Sequence, residues 1–313
     1  MRLRESLKVG IIQTTVNCDT AWCKDGQLLQ NMTKSAEEFV IDELRKGFRT
    51  LNDLQEPPQI VLIPEYSIPL GALKLVKEIS QNMGVVVFGG LDLCICPDGK
   101  VKNEGTIIIP NNWPNTGYSA GYEEKRFGKT NYSEDELNWF RSLNKGSHME
   151  NVTYIINAGE YGTIGIAICS DFYDLERFVI YKGKIHHLFI ISYNIDYKSF
   201  EFLAEAISRL LFCNVVICNT GYYGDSLAFS PYKKDYKRII YKNMGGKLFA
   251  TQAITLPVQK IDHEQIQAHK KFTEHEIIDS KNDEFEFKWP PGYRRSIFED
   301  GKEVEQINLK ADL

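Results

Sequence analysis

No stretch of this 313-residue chain approaches the roughly 20 apolar residues that a membrane-crossing helix needs. The opening Met1-Arg2-Leu3-Arg4-Glu5 has no long apolar run behind it. The first apolar stretch, Val9 to Ile12, is only strand-sized, so a cytoplasmic protein is expected. Neither Gly-x-Gly-x-x-Gly nor Gly-x-x-x-x-Gly-Lys-Ser/Thr occurs, so the two common nucleotide-binding loops are missing. Positive charge is not in excess. The 37 Lys and Arg face 42 Asp and Glu, giving −5, and broad phosphate neutralisation needs the opposite balance. A general nucleic-acid binder is therefore disfavoured. No Ser/Gly linker, repeat or low-complexity tract interrupts the chain. With 43% hydrophobic and 25% charged residues it reads as globular.

Cysteine is present but follows no disulfide framework. The seven are Cys18, Cys23, Cys94, Cys96, Cys169, Cys213 and Cys218, and an odd number cannot all pair within the chain. A reducing compartment fits that count. Cys94-Ile95-Cys96 has the wrong spacing for a zinc knuckle. The six histidines form no recognisable protease signature. No metal is expected.

What is there is an alternation of short apolar runs with longer helical patterns. Residues 8–13 (KVGIIQ), 59–63 (QIVLI, stopped by Pro64), 85–94, 105–109, 162–169, 187–193, 214–219 and 248–257 read as strands. Helical periodicity marks 28–49, 70–82 and 198–212. Several strands are apolar on both faces, as in the middle of layered structures. The β–α–β order predicts an α/β fold with parallel pairing and right-handed crossovers. One large domain over residues 1–262 is expected. Residues 263–313, charged and carrying Trp289-Pro290-Pro291-Gly292, read as a C-terminal extension that packs on the domain or on a partner.

Three spots carry chemistry. In Ile63-Pro64-Glu65-Tyr66 a carboxylate follows a buried strand, at the end where α/β proteins place their sites. Partial burial would raise its pKa toward that of a useful general base; alone, it reads equally as a solvated loop acid. In Ile168-Cys169-Ser170-Asp171 a thiol closes another buried strand. The backbone N–H after it can face a developing oxyanion, and a helix starting nearby would favour thiolate. A lone cysteine is otherwise more often a buried structural one. The third spot, residues 122–136, is a charged loop whose lysines, Lys125 and Lys129, offer a fixed positive charge to a tetrahedral intermediate.

Together, and in this order, these spots resemble the nitrilase or carbon–nitrogen hydrolase superfamily. The likeness runs from residue 8 to residue 261. KVGIIQTTVN, IVLIPEY, VVVFGGLDL with NEGTIIIP, GTIGIAICSDFYDLERF, FIISYN and AISRLLFCNVVICNTGYYGDSLAFSP are similar to successive family segments. The resemblance implies a four-layer α–β–β–α sandwich and a Glu–Lys–Cys triad. Glu65 is then the general base, Lys129 the oxyanion stabiliser and Cys169 the nucleophile. Lys125 is the alternative lysine. Glu136, with Glu134 close behind, is the candidate second glutamate, and the Ser170 N–H supports the oxyanion. Tyr66, Phe172, Tyr173, Tyr193 and Asn194, with Tyr222 and Tyr223, are candidate pocket walls. Where the family pattern has Tyr-Asp-Xaa-Arg after the cysteine, this chain has Ser170-Asp171-Phe172-Tyr173. The resemblance further implies hydrolysis of a small-molecule amide or N-carbamoyl compound through a thioester, no cofactor, and a homo-oligomer. A module with a regulatory or assembly role in a larger system, such as bacterial defence, is the alternative expectation.

Overall fold

The computed structural model describes residues 2–273, 293 and 303–309. In chain order its first half contains β1 (Ser6–Gln13), α1 (Lys34–Asn52), β2 (Ile60–Ile68), α2 (Leu73–Met83), β3 (Val86–Leu91), β4 (Glu104–Pro110), β5 (Tyr122–Gly128) and α3 (Glu134–Ser142). The second half contains β6 (Val152–Asn157), β7 (Thr163–Ile168), α4 (Leu175–Tyr181), β8 (His187–Ser192), α5 (Tyr197–Ile207), β9 (Asn214–Asn219), β10 (Ser226–Phe229) and β11 (Ile239–Asn243). β12 (Ala250–Pro257), α6 (Gln259–Thr273) and β13 (Glu303–Asn308) follow.

The strands form two large sheets, one in the order β12-β1-β2-β3-β4-β5 and the other β11-β10-β9-β8-β7-β6-β13. Parallel pairing holds β1, β2 and β3 together, and likewise β7, β8 and β9. The expected parallel pairing thus holds in the centre, and toward the edges most pairings are antiparallel. The charged stretch expected as a loop at 122–136 is mostly ordered structure. Its first half is β5, an edge strand whose charges pair with helix α2 (Lys77–Glu124), within the strand (Arg126–Glu124) and with neighbouring β4 (Arg126–Glu104). Such ion pairs give an edge strand a polar sequence that hides its period.

Strand alternation explains why the runs are apolar throughout. Val9, Ile11, Ile60, Leu62, Val86 and Phe88 join Ile164, Ile166, Phe189, Ile191 and Val216 in one core between the sheets, while Leu188, Ile190, Val215 and Ile217 take the other face of the second sheet. The Phe88 and Phe189 rings meet edge to face there, with centroids 5.8 Å apart. The intervening residues Ile12, Val61, Ile63, Val85 and Val87 pack outward on Val40, Leu44 and Phe48 of α1 and on Val76 of α2. Phe178 and Tyr181 of α4 and Phe200 and Ala204 of α5 pack on the second sheet. Helix, sheet, sheet, helix is the resulting order. Burying a large apolar side chain contributes about 1.5–3 kcal/mol, so this double burial is the main source of stability.

Helix α6 runs through the boundary expected at residue 262, and β13 pairs in parallel with β6 at the sheet edge. Tyr293 packs on Phe212, Ile261 and Ala268. The Trp289-Pro290-Pro291-Gly292 motif lies outside the described residues. Among the described residues no helix is long and apolar enough to cross a membrane.

Candidate active site

Gly221 N donates to Thr14 O, and Tyr193 N donates to the Glu65 carboxylate, so the carboxyl ends of both parallel cores meet at one place. Ligand sites in open α/β sheets lie at such ends. Strand β2 does not stop at Pro64 as expected. It leaves its ladder after Ile63, paired with Gly89, and returns at Ile68, paired with Leu91. Four residues, Pro64 to Ser67, thus stand opposite Gly90 alone. The missing donor of Pro64 costs nothing in an unpaired bulge. Tyr66 takes a left-handed φ of 57°, and a Cβ on Gly90 would stand 2.3 Å from Glu65 Cα. The bulge aims Glu65 inward, where it is 1% exposed.

Lys129 follows β5 directly. Its side chain has no exposed surface, and Nζ lies 2.8 Å from Glu65 Oε1 and 2.7 Å from Glu136 Oε2. Lys125 instead pairs with Glu123 on the strand, with a side chain 41% exposed. Glu136 has two tasks. Ser133-x-x-Glu136 is a capping box at the start of α3, with Ser133 N donating to Glu136 Oε2 at 2.9 Å. The same oxygen takes the lysine. Glu134, in the same first turn, is not among the lysine's ion-pair partners.

Cys169 ends β7 with a φ of 46°, left-handed and costly for a residue with a Cβ. It opens a short 3-10 turn, Cys169–Tyr173, rather than an α-helix. The thiol feels the charges of Glu65, Lys129 and Glu136, and the Tyr193 N–H that donates to Glu65 Oε2 at 2.8 Å also faces it. Acid, base and thiol therefore converge.

Burial dominates the protonation states. It pushes the Cys169 thiol well above its ordinary value, Glu65 adding to the effect and Lys129 opposing it. The thiolate expected from a nearby helix start is thus not the resting form. Burial also raises Glu65, against the pull of Lys129. It opposes the Lys129 ammonium, but the two glutamates outweigh it and hold the lysine charged. Glu136 is brought below the ordinary range because Lys129 and its hydrogen bonds overcome desolvation. Two carboxylates thus share one ammonium, and the one with the raised pKa, Glu65, is the better proton acceptor for a thiol.

The candidate walls separate. Tyr66 is buried, its hydroxyl donating to Glu136 Oε1 at 2.6 Å. Tyr193 is half-buried, with its hydroxyl on Val16 O. Tyr173 is exposed and lies edge-on to Phe200, while Asn194 is tied to its own turn through Asp196. Phe172 is no wall. It is fully buried between Phe178 and Phe200, because the 3-10 turn points it into the core. Tyr222 and Tyr223 meet edge to face, and Tyr223 meets Tyr193 in the same way. The Ser170 hydroxyl donates to Asn131 O.

Sequence reasoning passed over Asn103, Trp22 and Trp139. Asn103 Nδ2 lies 2.7 Å from Glu65 Oε1, 2.8 Å from the Tyr66 hydroxyl and 2.9 Å from Glu136 Oε1. A polar residue immediately before a buried strand was the one available signal. Trp22 and Trp139 pack on each other and on Tyr66, with centroids 5.4–5.9 Å apart. No group of three or more metal-ligating side chains occurs among the described residues.

No protein-family model and no curated protein sequence matches the chain. Solved structures do match. Saccharomyces cerevisiae Nit3, a member of branch 10 of the nitrilase superfamily, aligns at TM-score 0.59 and 14% identity, covering 90% of this chain and 98% of that one. A mutant of the amidase from Nesterenkonia sp. AN1, showing covalent addition of the acetamide moiety of fluoroacetamide at its active-site cysteine, aligns at 0.58 and 11%, covering 88% and 98%. XC1258 from Xanthomonas campestris, a CN-hydrolase superfamily protein with an arsenic adduct in its active site, aligns at 0.58 and 10%, covering 84% and 95%. At these identities the likeness is one of fold.

Proposed function

We propose that this chain, whose fold is that of the nitrilase superfamily, hydrolyses a non-peptide C–N bond through a thioester on Cys169. The observation that carries the reading is the buried Lys129 ammonium, shared by Glu65 and Glu136 beside a thiol with left-handed backbone.

Glu65 takes the thiol proton as sulfur attacks the carbonyl carbon of an amide. The tetrahedral oxyanion forms against the Lys129 ammonium and the Ser170 N–H. Its collapse breaks the C–N bond, and the leaving amine takes the proton from Glu65. The acyl group is now a thioester. Glu65 next removes a proton from water, the hydroxide adds to the thioester carbonyl, and the C–S bond breaks. The departing sulfur recovers that proton and the acid is released. The cycle uses water and one thiol and needs no metal or organic cofactor. The covalent adduct of the Nesterenkonia amidase, an acetamide moiety on its active-site cysteine, supports a nucleophilic cysteine, and its amidase description supports an amide substrate over a nitrile. N-carbamoyl compounds present the same carbonyl. The resemblance also supports a homo-oligomer, which light scattering reads directly.

Iodoacetamide followed by peptide mapping tests the nucleophile. Cys169 is expected to label ahead of Cys94 and of the buried Cys213, because only Cys169 has Glu65 beside it to take the proton and Lys129 to favour the thiolate. Amide turnover is expected to vanish in Cys169→Ala. Turnover that survives, or labelling no faster than at Cys94, sinks the assignment. Absence of turnover on a panel of small amides, together with a stable larger complex, would favour the assembly module instead.

A further inference from the structure

Lys129 and Cys169 come from different sheets. Lys129 follows β5 of the first, and Cys169 ends β7 of the second. Sheets packed through apolar side chains do not by themselves fix two polar groups to a few tenths of an ångström. Something must tie the lysine segment to the elbow.

Asp171 stands at that junction, fully buried. Oδ1 accepts from Asn131 N at 2.7 Å and from Asn131 Nδ2 at 3.2 Å. Both carboxylate oxygens lie 3.2 Å from Thr130 N. Ser170 adds a hydroxyl bond to Asn131 O. Behind Asp171 lies Arg177 of α4, 1% exposed, with Nη2 3.5 Å from Asp171 Oδ2. Arg177 Nη2 also donates to Thr130 Oγ1 at 3.1 Å, and Nη1 to Ile166 O of β7 at 3.1 Å. A buried carboxylate is thus satisfied almost wholly by the segment that carries the lysine, and its counter-ion grips the same segment. The catalytic scheme uses neither group.

We propose that Asp171, backed by Arg177, is a positioning residue that hooks segment 129–131 onto the Cys169 elbow and so sets where the Lys129 ammonium stands relative to the thiol. The idea rests on the Glu–Lys–Cys reading above. Its signature is an effect that passes through Lys129. The charged groups facing Cys169 are Glu65 from β2, Glu136 from α3 and Lys129 from the segment after β5. Lys129 favours thiolate, so a displaced lysine makes the thiol harder to ionise and slower to alkylate. Simply deleting the negative charge of Asp171 would act the other way and speed alkylation.

The experiment is a double-mutant cycle on the full chain, reading the rate of Cys169 carbamidomethylation by iodoacetamide at about pH 8. Lys129→Ala is expected to slow it. Asp171→Asn is expected to slow it in the same direction, tenfold or more on the scale of roughly 10² for an ångström of misplacement. In the Lys129→Ala background Asp171→Asn is expected to change the rate less than about threefold. Equal slowing in both backgrounds, or faster alkylation in Asp171→Asn, overturns the positioning role while leaving the triad intact. No effect of Lys129→Ala removes the triad reading and this role with it. If Asp171→Asn does not fold, Asp171→Asn with Arg177→Met takes its place, because it removes both members of the buried pair and leaves Asp174, the other partner of Arg177, held by the backbone N–H groups it caps. The same pattern of rates is expected, and the same outcomes overturn it.

Discussion

Glu136 is an acid whose place in the site follows from its place in the chain. As third residue of a capping box it must turn back toward Ser133, and that turn brings its carboxylate to Lys129. Asn103 completes the group by standing between both carboxylates. Its amide donates to negative charge and carries none, which adds to the larger pull of Lys129 in favouring ionised Glu65 against burial. Asn103→Asp would set a third carboxylate there. Because a like charge disfavours ionisation, the pKa of Glu65, already raised by burial, should rise further. In the proposed reaction Glu65 acts only when ionised, so the acid limb of the pH–rate profile is expected to move to higher pH. An unmoved limb with only a lower plateau would mean that Asn103 acts without touching the ionisation of Glu65.

The bulge in β2 is the element on which the acid depends. Regular pairing would send alternate residues of segment 64–67 to the two faces of the sheet. The insertion of extra residues breaks that alternation and holds Glu65 toward the thiol. Gly90 lets the bulge lie flat, since a Cβ there would overlap Glu65 Cα and the Pro64 carbonyl. Gly90→Ala is therefore expected to move Glu65 and cost activity out of proportion to stability. About 10² in kcat/KM is the scale for a displacement of an ångström. A parallel measurement of kcat/KM and melting temperature checks this. A large fall in melting temperature with unchanged activity of the folded fraction would contradict it. The 3-10 turn after β7 has the corresponding task for Cys169, and its second residue, Ser170, binds the lysine segment.

Across the molecule, the two sheets pack face to face, the site lies where their parallel strands end, and the edges serve stability. Strand β13 closes one edge of the second sheet, with Ile307 and Leu309 buried in the core shared by both sheets. Leu309→Ala is expected to destabilise the protein by about 2–5 kcal/mol through the cavity it leaves. Under native conditions Cys169 alkylation should be unchanged, because among the described residues the hydrogen bonds and ion pairs of Glu65, Lys129 and Glu136 reach none of β13. Urea unfolding and iodoacetamide labelling read the two quantities separately, and a loss of labelling without a loss of stability would show that the edge strand reaches the site.

The central strands were legible because both of their faces are buried, and a doubly buried strand must be apolar throughout. The order Glu65, Lys129, Cys169 was legible through the likeness to the nitrilase superfamily: Glu65 and Cys169 each follow an apolar run, whereas Lys129 follows a charged stretch that reads as a loop. Three matters were decided only in three dimensions. Lys129 prevailed over Lys125 because one closes a strand beside two buried carboxylates while the other projects from an exposed edge. Phe172 went to the core because a 3-10 turn, unlike the elbow helix expected, points it inward. Asn103 and Asp171 became part of the site because their partners lie 33 to 41 residues away along the chain. Local pattern reports burial and backbone preference. It carries no information on which distant hydrogen-bond donor a buried oxygen will meet, and that pairing is what places this site's charges.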